Sequence, residues 1–213
     1  MTTALSWIVR SFAVLFLALG VALAVSSLRY INFDPTYGFL RLKQAAIETG
    51  WYLPAYYAHV LISALILLIG FFQVSNIGRK WIRLHRWLGR SYVFGILLFA
   101  APGGLVMSMF INRGPWVLGS FLIQASLWFV FTALAFRRIL NRDISAHREW
   151  MWRSFALACA AITLRIYIYI FSFFTDLSQP GAYAMIAWAS WVGNLVIVEW
   201  MILYSRRTRF ARQ

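Results

Sequence analysis

The chain has 213 residues, of which 62% are hydrophobic and only 12% are charged, and its formal net charge is +14. Soluble domains carry about 25% charged residues, so this composition, with a mean hydropathy of +0.71, excludes a water-soluble globular protein. The positive charge does not indicate nucleic-acid binding, because the basic residues form short clusters between apolar segments, as in the retained loops of membrane proteins.

Six apolar segments are long enough to cross a hydrocarbon core, which needs about 20 helical residues. They predict an all-α integral membrane six-helix bundle that forms one transmembrane domain over residues 1–213. In chain order, the predicted spans are Leu5–Leu28, Leu53–Val74, Leu88–Ile111, Trp116–Phe136, Trp150–Phe174 and Ala182–Tyr204.

The first segment also resembles a signal peptide, since Arg10 precedes the apolar run and Ala22-Leu23-Ala24 fits a cleavage site. Its apolar stretch is long for a signal peptide, and we therefore expect a retained span. The following outer loop, Arg29 to Tyr52, is the only long one. Within it, Phe39–Ile47 predicts a short helix on the membrane surface that ends at Gly50.

Within the third segment lies Pro102-Gly103-Gly104. Proline removes a helical hydrogen bond, and glycine lets a neighbouring helix come close. We expect a kink or a close helix contact there. Cys159, the only cysteine, lies in the fifth apolar run, so disulfides and a CxxC metal site are excluded.

The distribution of Lys and Arg predicts the orientation, because retained cytoplasmic loops are rich in these residues. Fifteen of the 20 lie on the side of the chain termini and of the loops after the second and fourth spans, four lie on the other side, and Arg165 lies within a span. We therefore expect both termini in the cytoplasm and the protein in the inner (cytoplasmic) membrane, in contact with the lipid bilayer.

Polar side chains within the spans are costly and usually face the bundle interior. By depth they form two predicted layers. The outer layer holds His59, Gln124 and Arg165, and the inner layer holds Gln73, His85, Arg90, His147, Arg153 and Glu199. His147 and Arg165 are five helical turns apart and so share one face of the fifth span. Glu199 is expected to form a buried ion pair with Arg86, Arg90 or Arg153.

The inner histidines suggest a b-type haem. A haem iron with two imidazole ligands needs histidines from facing helices at one depth, with basic groups for the propionates. His85 and His147 meet this requirement by depth, and Arg90 and Arg153 are nearby. His59 has no second histidine in its layer. The alternative is that the His-Arg pairs are interfacial anchors with a structural role.

These residues resemble the bacterial predicted membrane proteins grouped as domain of unknown function 2306. The resemblance implies a helical bundle in the cytoplasmic membrane and no assigned reaction. It suggests a division into an extra first span and outer loop (1–52), a four-helix family core (53–174), and a sixth span with a basic tail (175–213). It extends from Tyr57 to Arg165 and rests on His59, Gly70, Gln73, the run His85-Arg86-Trp87-Leu88-Gly89-Arg90-Ser91-Tyr92, His147-Arg148, Trp150-Met151, Arg153-Ser154 and Thr163-Leu164-Arg165.

Three functions remain open from the sequence. The first is a redox or cofactor-binding membrane protein with His85 and His147, or His59, as ligands and Arg90, Arg153 and Arg165 in support. The second is a non-enzymatic subunit of a membrane protein partner, or a small-solute carrier. The third is an enzyme that acts on a lipid or quinone headgroup held by the inner arginines.

The charge asymmetry predicts the result of a topology experiment. A reporter fused after Gln213 should give the cytoplasmic signal, and the same reporter inserted into the 29–52 loop should give the opposite one. An extracellular signal from the C-terminal fusion would contradict the six-span orientation.

Overall fold

The computed structural model describes residues 3–75 and 80–210. It contains six helices long and apolar enough to cross a membrane, which confirms the predicted number of spans. No strand occurs in the described residues. Arg79 and Arg212, two of the 20 Lys and Arg residues used to predict the orientation, lie outside the described residues. The six helices are α1 (Thr3–Leu28), α2 (Tyr52–Val74), α3 (Ile82–Ser108), α4 (Pro115–Leu140), α5 (Ile144–Phe171) and α6 (Pro180–Phe210).

Several helices extend beyond the apolar segments at the basic end, which we call the inner end. Helix α3 begins six residues before the predicted Leu88, and α5 begins at Ile144 rather than Trp150. Hydropathy detects only the part of a helix that lies in hydrocarbon. Arg and Leu have high helix propensity, so a helix that contains them can continue beyond the hydrocarbon. The side chain of Asp143 caps α5 by accepting a hydrogen bond from the Ala146 N–H.

Helices α2 to α5 form a four-helix core in which each helix contacts the next along the chain and α5 returns to α2. No Cα atoms of α3 and α5 approach within 8 Å, and the same holds for α2 and α4. These two pairs are therefore diagonal across the bundle axis. Helix α1 packs outside the core against α2 and α5, and α6 packs against α4 and α5.

Helix α3 departs from α-helical geometry just before its proline. Residues Ile96–Ala100 form a π-helical turn, in which the Ala101 N–H donates to the Ile96 carbonyl. Such a turn is one way for a helix to accommodate a residue that lacks an N–H. After it, Gly103 and Gly104 pack directly against α2. A Cβ on Gly103 would lie 2.7 Å from the Ala55 oxygen, so the predicted close helix contact is confirmed.

The outer loop folds over the end of α2. Gly38–Lys43 is a 3-10 helix and Gln44–Ile47 a short α-helix, so the predicted helical segment is confirmed, and Gly50 follows with a positive φ of 77°. Leu40 is fully buried against Tyr52 and Tyr56. The Lys43 ammonium donates to the Phe110 carbonyl. Burial, together with the Arg113 cation, lowers the pKa of Lys43.

The contact between α2 and α3 predicts opposite effects of two glycine substitutions. Gly103→Leu forces side-chain atoms into the α2 backbone and should lower the free energy of unfolding by about 1–3 kcal/mol. Gly119→Ala in α4 meets nothing within 4 Å and should leave stability unchanged or raise it by up to about 1 kcal/mol. Thermal unfolding of both variants in detergent measures the difference. Equal stability of the two variants would contradict the close contact.

Candidate functional site

The two inner histidines lie on the diagonal helices α3 and α5. His85 lies seven residues, about two turns, before Tyr92 of α3, and His147 lies seven residues before Ser154 of α5. Tyr92 and Ser154 are fully buried, and their hydroxyl groups lie 3.3 Å apart across the axis. The histidines therefore share faces with side chains that meet at the centre of the bundle. The imidazoles themselves lie within electrostatic range of each other.

The ring nitrogens of these histidines have different partners. His147 Nδ1 lies 2.8 Å from the Ala135 carbonyl of α4. Because a carbonyl only accepts, Nδ1 carries the proton and Nε2 is left as the electron-pair donor. Metal-binding histidines are commonly oriented by a backbone carbonyl in this way. His85 Nδ1 is buried without a hydrogen-bond partner.

Gln73 of α2 lies beside His85. Its Nε2 donates to the His85 carbonyl at 2.8 Å, while its Oε1 is buried without a partner. Buried polar atoms normally have hydrogen-bond partners. Among the described residues, two of the five exceptions lie together here, on Gln73 and His85, and the other three lie on Tyr57, Ser63 and Trp128. Sequence depth alone predicted that both residues lie in the inner layer, and the structure brings them into contact.

The arginines of the inner layer divide into paired and unpaired ones. Arg153 makes two hydrogen bonds to Glu199 of α6, at 2.5 and 2.8 Å, which confirms the predicted ion pair. The pair is not buried as predicted, because the Glu199 side chain is 44% exposed. Arg206 pairs with Glu149 in the same way. Arg90 is exposed, and its Nε donates to the Arg86 carbonyl of its own helix. Arg153 is thus already neutralised, and among the described residues Arg90 has no carboxylate partner.

Three buried hydroxyl groups link the core helices just outward of the histidines. Ser154 Oγ lies 2.7 Å from Thr132 Oγ1 of α4 and 3.3 Å from the Tyr92 hydroxyl of α3. Sequence reasoning did not identify this cluster as a site. The available signal was the spacing, because Tyr92 and Ser154 each stand seven residues after the histidine of a His-Arg pair.

The three residues of the predicted outer layer do not form hydrogen bonds with one another, because each bonds to a different backbone carbonyl. His59 Nδ1 lies 2.6 Å from the Ala100 carbonyl in the π-helical turn of α3, and its ring meets Trp128 edge-on. Arg165 lies within electrostatic range of His59, but its hydrogen bond is to the Ala161 carbonyl of its own helix. Gln124 donates to the Leu157 carbonyl at 3.4 Å instead of joining them.

Within residues 3–75 and 80–210, no three His, Cys, Asp or Glu side chains converge as a metal-ion site. A haem iron needs fewer protein ligands, since the porphyrin supplies the equatorial ones and one or two side chains supply the axial ones.

The fold and its inner polar layer define a multi-pass helical membrane protein built on a four-helix core. The chain belongs to the family described as Predicted membrane protein (DUF2306), whose model matches residues 56–202. The match begins in α2 and reaches into α6, so it extends beyond the segment that the motifs marked. Neither a curated protein nor a solved structure matches the chain.

The hydroxyl cluster predicts a stability difference between two serines. Ser154→Ala leaves the Tyr92 hydroxyl without its partner and should cost about 1–3 kcal/mol of unfolding free energy. Ser91→Ala removes only a bond to the Trp87 carbonyl of the same helix and should change stability by less than about 0.5 kcal/mol. Thermal unfolding in detergent compares them. A Ser154→Ala protein as stable as Ser91→Ala would contradict a structural role for the cluster.

Proposed function

We propose that this chain is a redox protein of the inner membrane that binds one b-type haem through His85 and His147. One juxtaposition carries the proposal: His85 and His147 each lie seven residues before a residue, Tyr92 or Ser154, whose hydroxyl group meets the other across the axis between the diagonal helices α3 and α5. A haem with two axial imidazoles requires donors on opposite sides of the porphyrin plane. Diagonal helices can supply them, whereas neighbouring helices in direct contact leave less room between their side chains.

The polar groups around the pair fit the same ligand. His147 is held through Nδ1, which leaves Nε2 free to bind a metal. His85 Nδ1 and Gln73 Oε1 are both buried without a hydrogen-bond partner, and the Gln73 amide nitrogen donates to the His85 carbonyl. A proton on His85 Nδ1 would leave its Nε2 free as well.

Arg90 is the proposed partner of a haem propionate, because it is a cation at this level without a carboxylate among the described residues. Arg153 was an equal candidate by sequence, but its two hydrogen bonds to Glu199 already satisfy it. The bound haem would supply one-electron redox chemistry. The protein supplies the axial ligands, the charge that balances the propionates and an apolar surrounding.

His59 is a weaker candidate for the iron. Gly103 and Gly104 pack against it, and a Cβ on Gly104 would lie 2.9 Å from His59 Nδ1. Its ring also contacts Trp128, and no second histidine lies in its layer. The packing of His59 is that of a helix–helix contact.

Absorption spectra of the purified protein test the proposal. Wild type from haem-replete cells should show a Soret band and, after reduction, a sharp α-band. His85→Ala or His147→Ala should abolish the low-spin spectrum, because each removes one axial ligand. His59→Gln is the matched control and should keep the spectrum. A colourless wild-type protein would contradict haem binding and favour the carrier or subunit hypothesis, and loss of the spectrum in His59→Gln alone would move the ligand to the outer layer.

A further inference from the structure

A groove of about 490 Å³ lies between α1 and α5, on the outer half of the bundle. Its volume is within the range of about 300–1,000 Å³ that is usual for small-molecule sites. Its walls are mainly apolar side chains of the two helices. They include Leu19, Leu23, Ile162 and Ile166.

The groove opens beside a close contact between α1 and the core. A Cβ on Gly20 would lie 2.5 Å from the Phe71 ring and 3.1 Å from Ile162. This contact holds α1 against α2 and α5. The residues from Ala22 to Ser26 on α1 then face the segment from Arg165 to Ile170 on α5, and the groove lies between them.

One cation, Arg165, lines this apolar groove. Its guanidinium carries five N–H donors, of which one, on Nη1, donates to the Ala161 carbonyl at 2.9 Å. No carboxylate pairs with it among the described residues. The phenols of Tyr56, Tyr30 and Tyr183 lie within electrostatic range but accept no hydrogen bond from it there. The groove thus combines an apolar wall with a cation whose remaining donors are free.

The depth of Arg165 suits the headgroup end of a lipid. Tyr169 lies one turn, about 6 Å, further out on α5 and is 69% exposed. Exposed tyrosines of spans usually lie at the membrane–water interface. An arginine one turn below the interface can reach a phosphate at the headgroup level, since long basic side chains extend toward the interface. Arginine also binds phosphate through paired hydrogen bonds.

From this geometry we infer that the groove binds one anionic phospholipid of the outer leaflet. The lipid phosphate is held by Arg165, and one acyl chain lies along Leu19, Leu23 and Ile166. The site is separate from the inner histidines, because Arg165 is five turns, about 27 Å, from His147. The lipid-binding inference is therefore independent of the haem proposal, and either one can fail without the other.

Native mass spectrometry of the full chain tests this site. Delipidated protein in detergent is titrated with dioleoylphosphatidylglycerol, and wild type should bind one lipid with the highest affinity. Arg165→Gln should weaken that binding about tenfold or more by loss of a charge-assisted contact. Ala22→Phe keeps the arginine but fills the groove, and it should weaken binding to a similar extent. The control Arg41→Gln, in the outer loop, should bind like wild type.

Two further titrations separate the lipid from other sources of phosphate. Dioleoylphosphatidylcholine should bind more weakly, because its choline cation offsets the phosphate charge. Excess inorganic phosphate should not displace the phosphatidylglycerol. Equal binding by wild type and Arg165→Gln, unchanged binding in Ala22→Phe, or displacement by inorganic phosphate would each overturn the inference.

Discussion

A polar group without a partner in hydrocarbon costs several kcal/mol, and this constraint governs the whole structure. Most polar side chains in the spans are paired within the bundle. Asn194 accepts from the Thr163 hydroxyl and donates to the Ala156 carbonyl, which fixes α6 against α5. Trp191 donates to Ser120 in the same manner and joins α6 to α4. Among the described residues, buried side-chain atoms without a partner lie on Tyr57, Ser63, Gln73, His85 and Trp128, and Gln73 and His85 are in contact with each other.

The polar groups at the inner and outer ends of the bundle that the two proposals use differ in kind. At the inner end, unpaired atoms on Gln73 and His85 are buried within the core. At the outer end, Arg165 is exposed in a groove whose walls come partly from α1. The family model begins at residue 56 and so does not include α1. The inner site thus belongs to the part of the chain shared with the family, whereas the outer groove depends on a helix outside the match.

The proline in α3 illustrates how the same constraint shapes the backbone. Pro102 cannot donate to a carbonyl one turn earlier, and the helix widens into a π turn over Ile96–Ala100. The carbonyl of Ala100 then lies 2.6 Å from His59 Nδ1. Gly103 and Gly104 permit this approach because they have no side chain at the contact. His59 thus links the irregular part of α3 to α2.

Much of this architecture could be predicted from the amino-acid sequence, because hydropathy and charge report directly on the membrane. The six spans, the short helix before Gly50, the close contact at Gly103 and the ion pair of Glu199 were all predicted. The spans, the short helix and the close contact depend on local sequence pattern. The ion pair could be predicted because Glu199 is one of only six acidic residues and has few basic residues at its depth.

The arrangement of helices around the axis could not be predicted in this way. Periodicity shows which face of a helix is polar but not which helix lies opposite, so the diagonal relation of α3 and α5 emerged only from the structure. The choice of Arg153 over Arg90 by Glu199, and the contact of Gln124 with the Leu157 carbonyl, depend equally on helix neighbours. The hydroxyl cluster at Ser154 was missed because serine and threonine are common in spans without special function.

The haem content of the purified chain is the most direct test of the central claim, that one cofactor lies between His85 and His147. Extracted haem, measured against protein concentration by quantitative amino-acid analysis, should give one haem per chain. Three histidines supply one pair of axial ligands and leave His59 packed at the outer level. A ratio of zero, or of two haems per chain, would contradict this account.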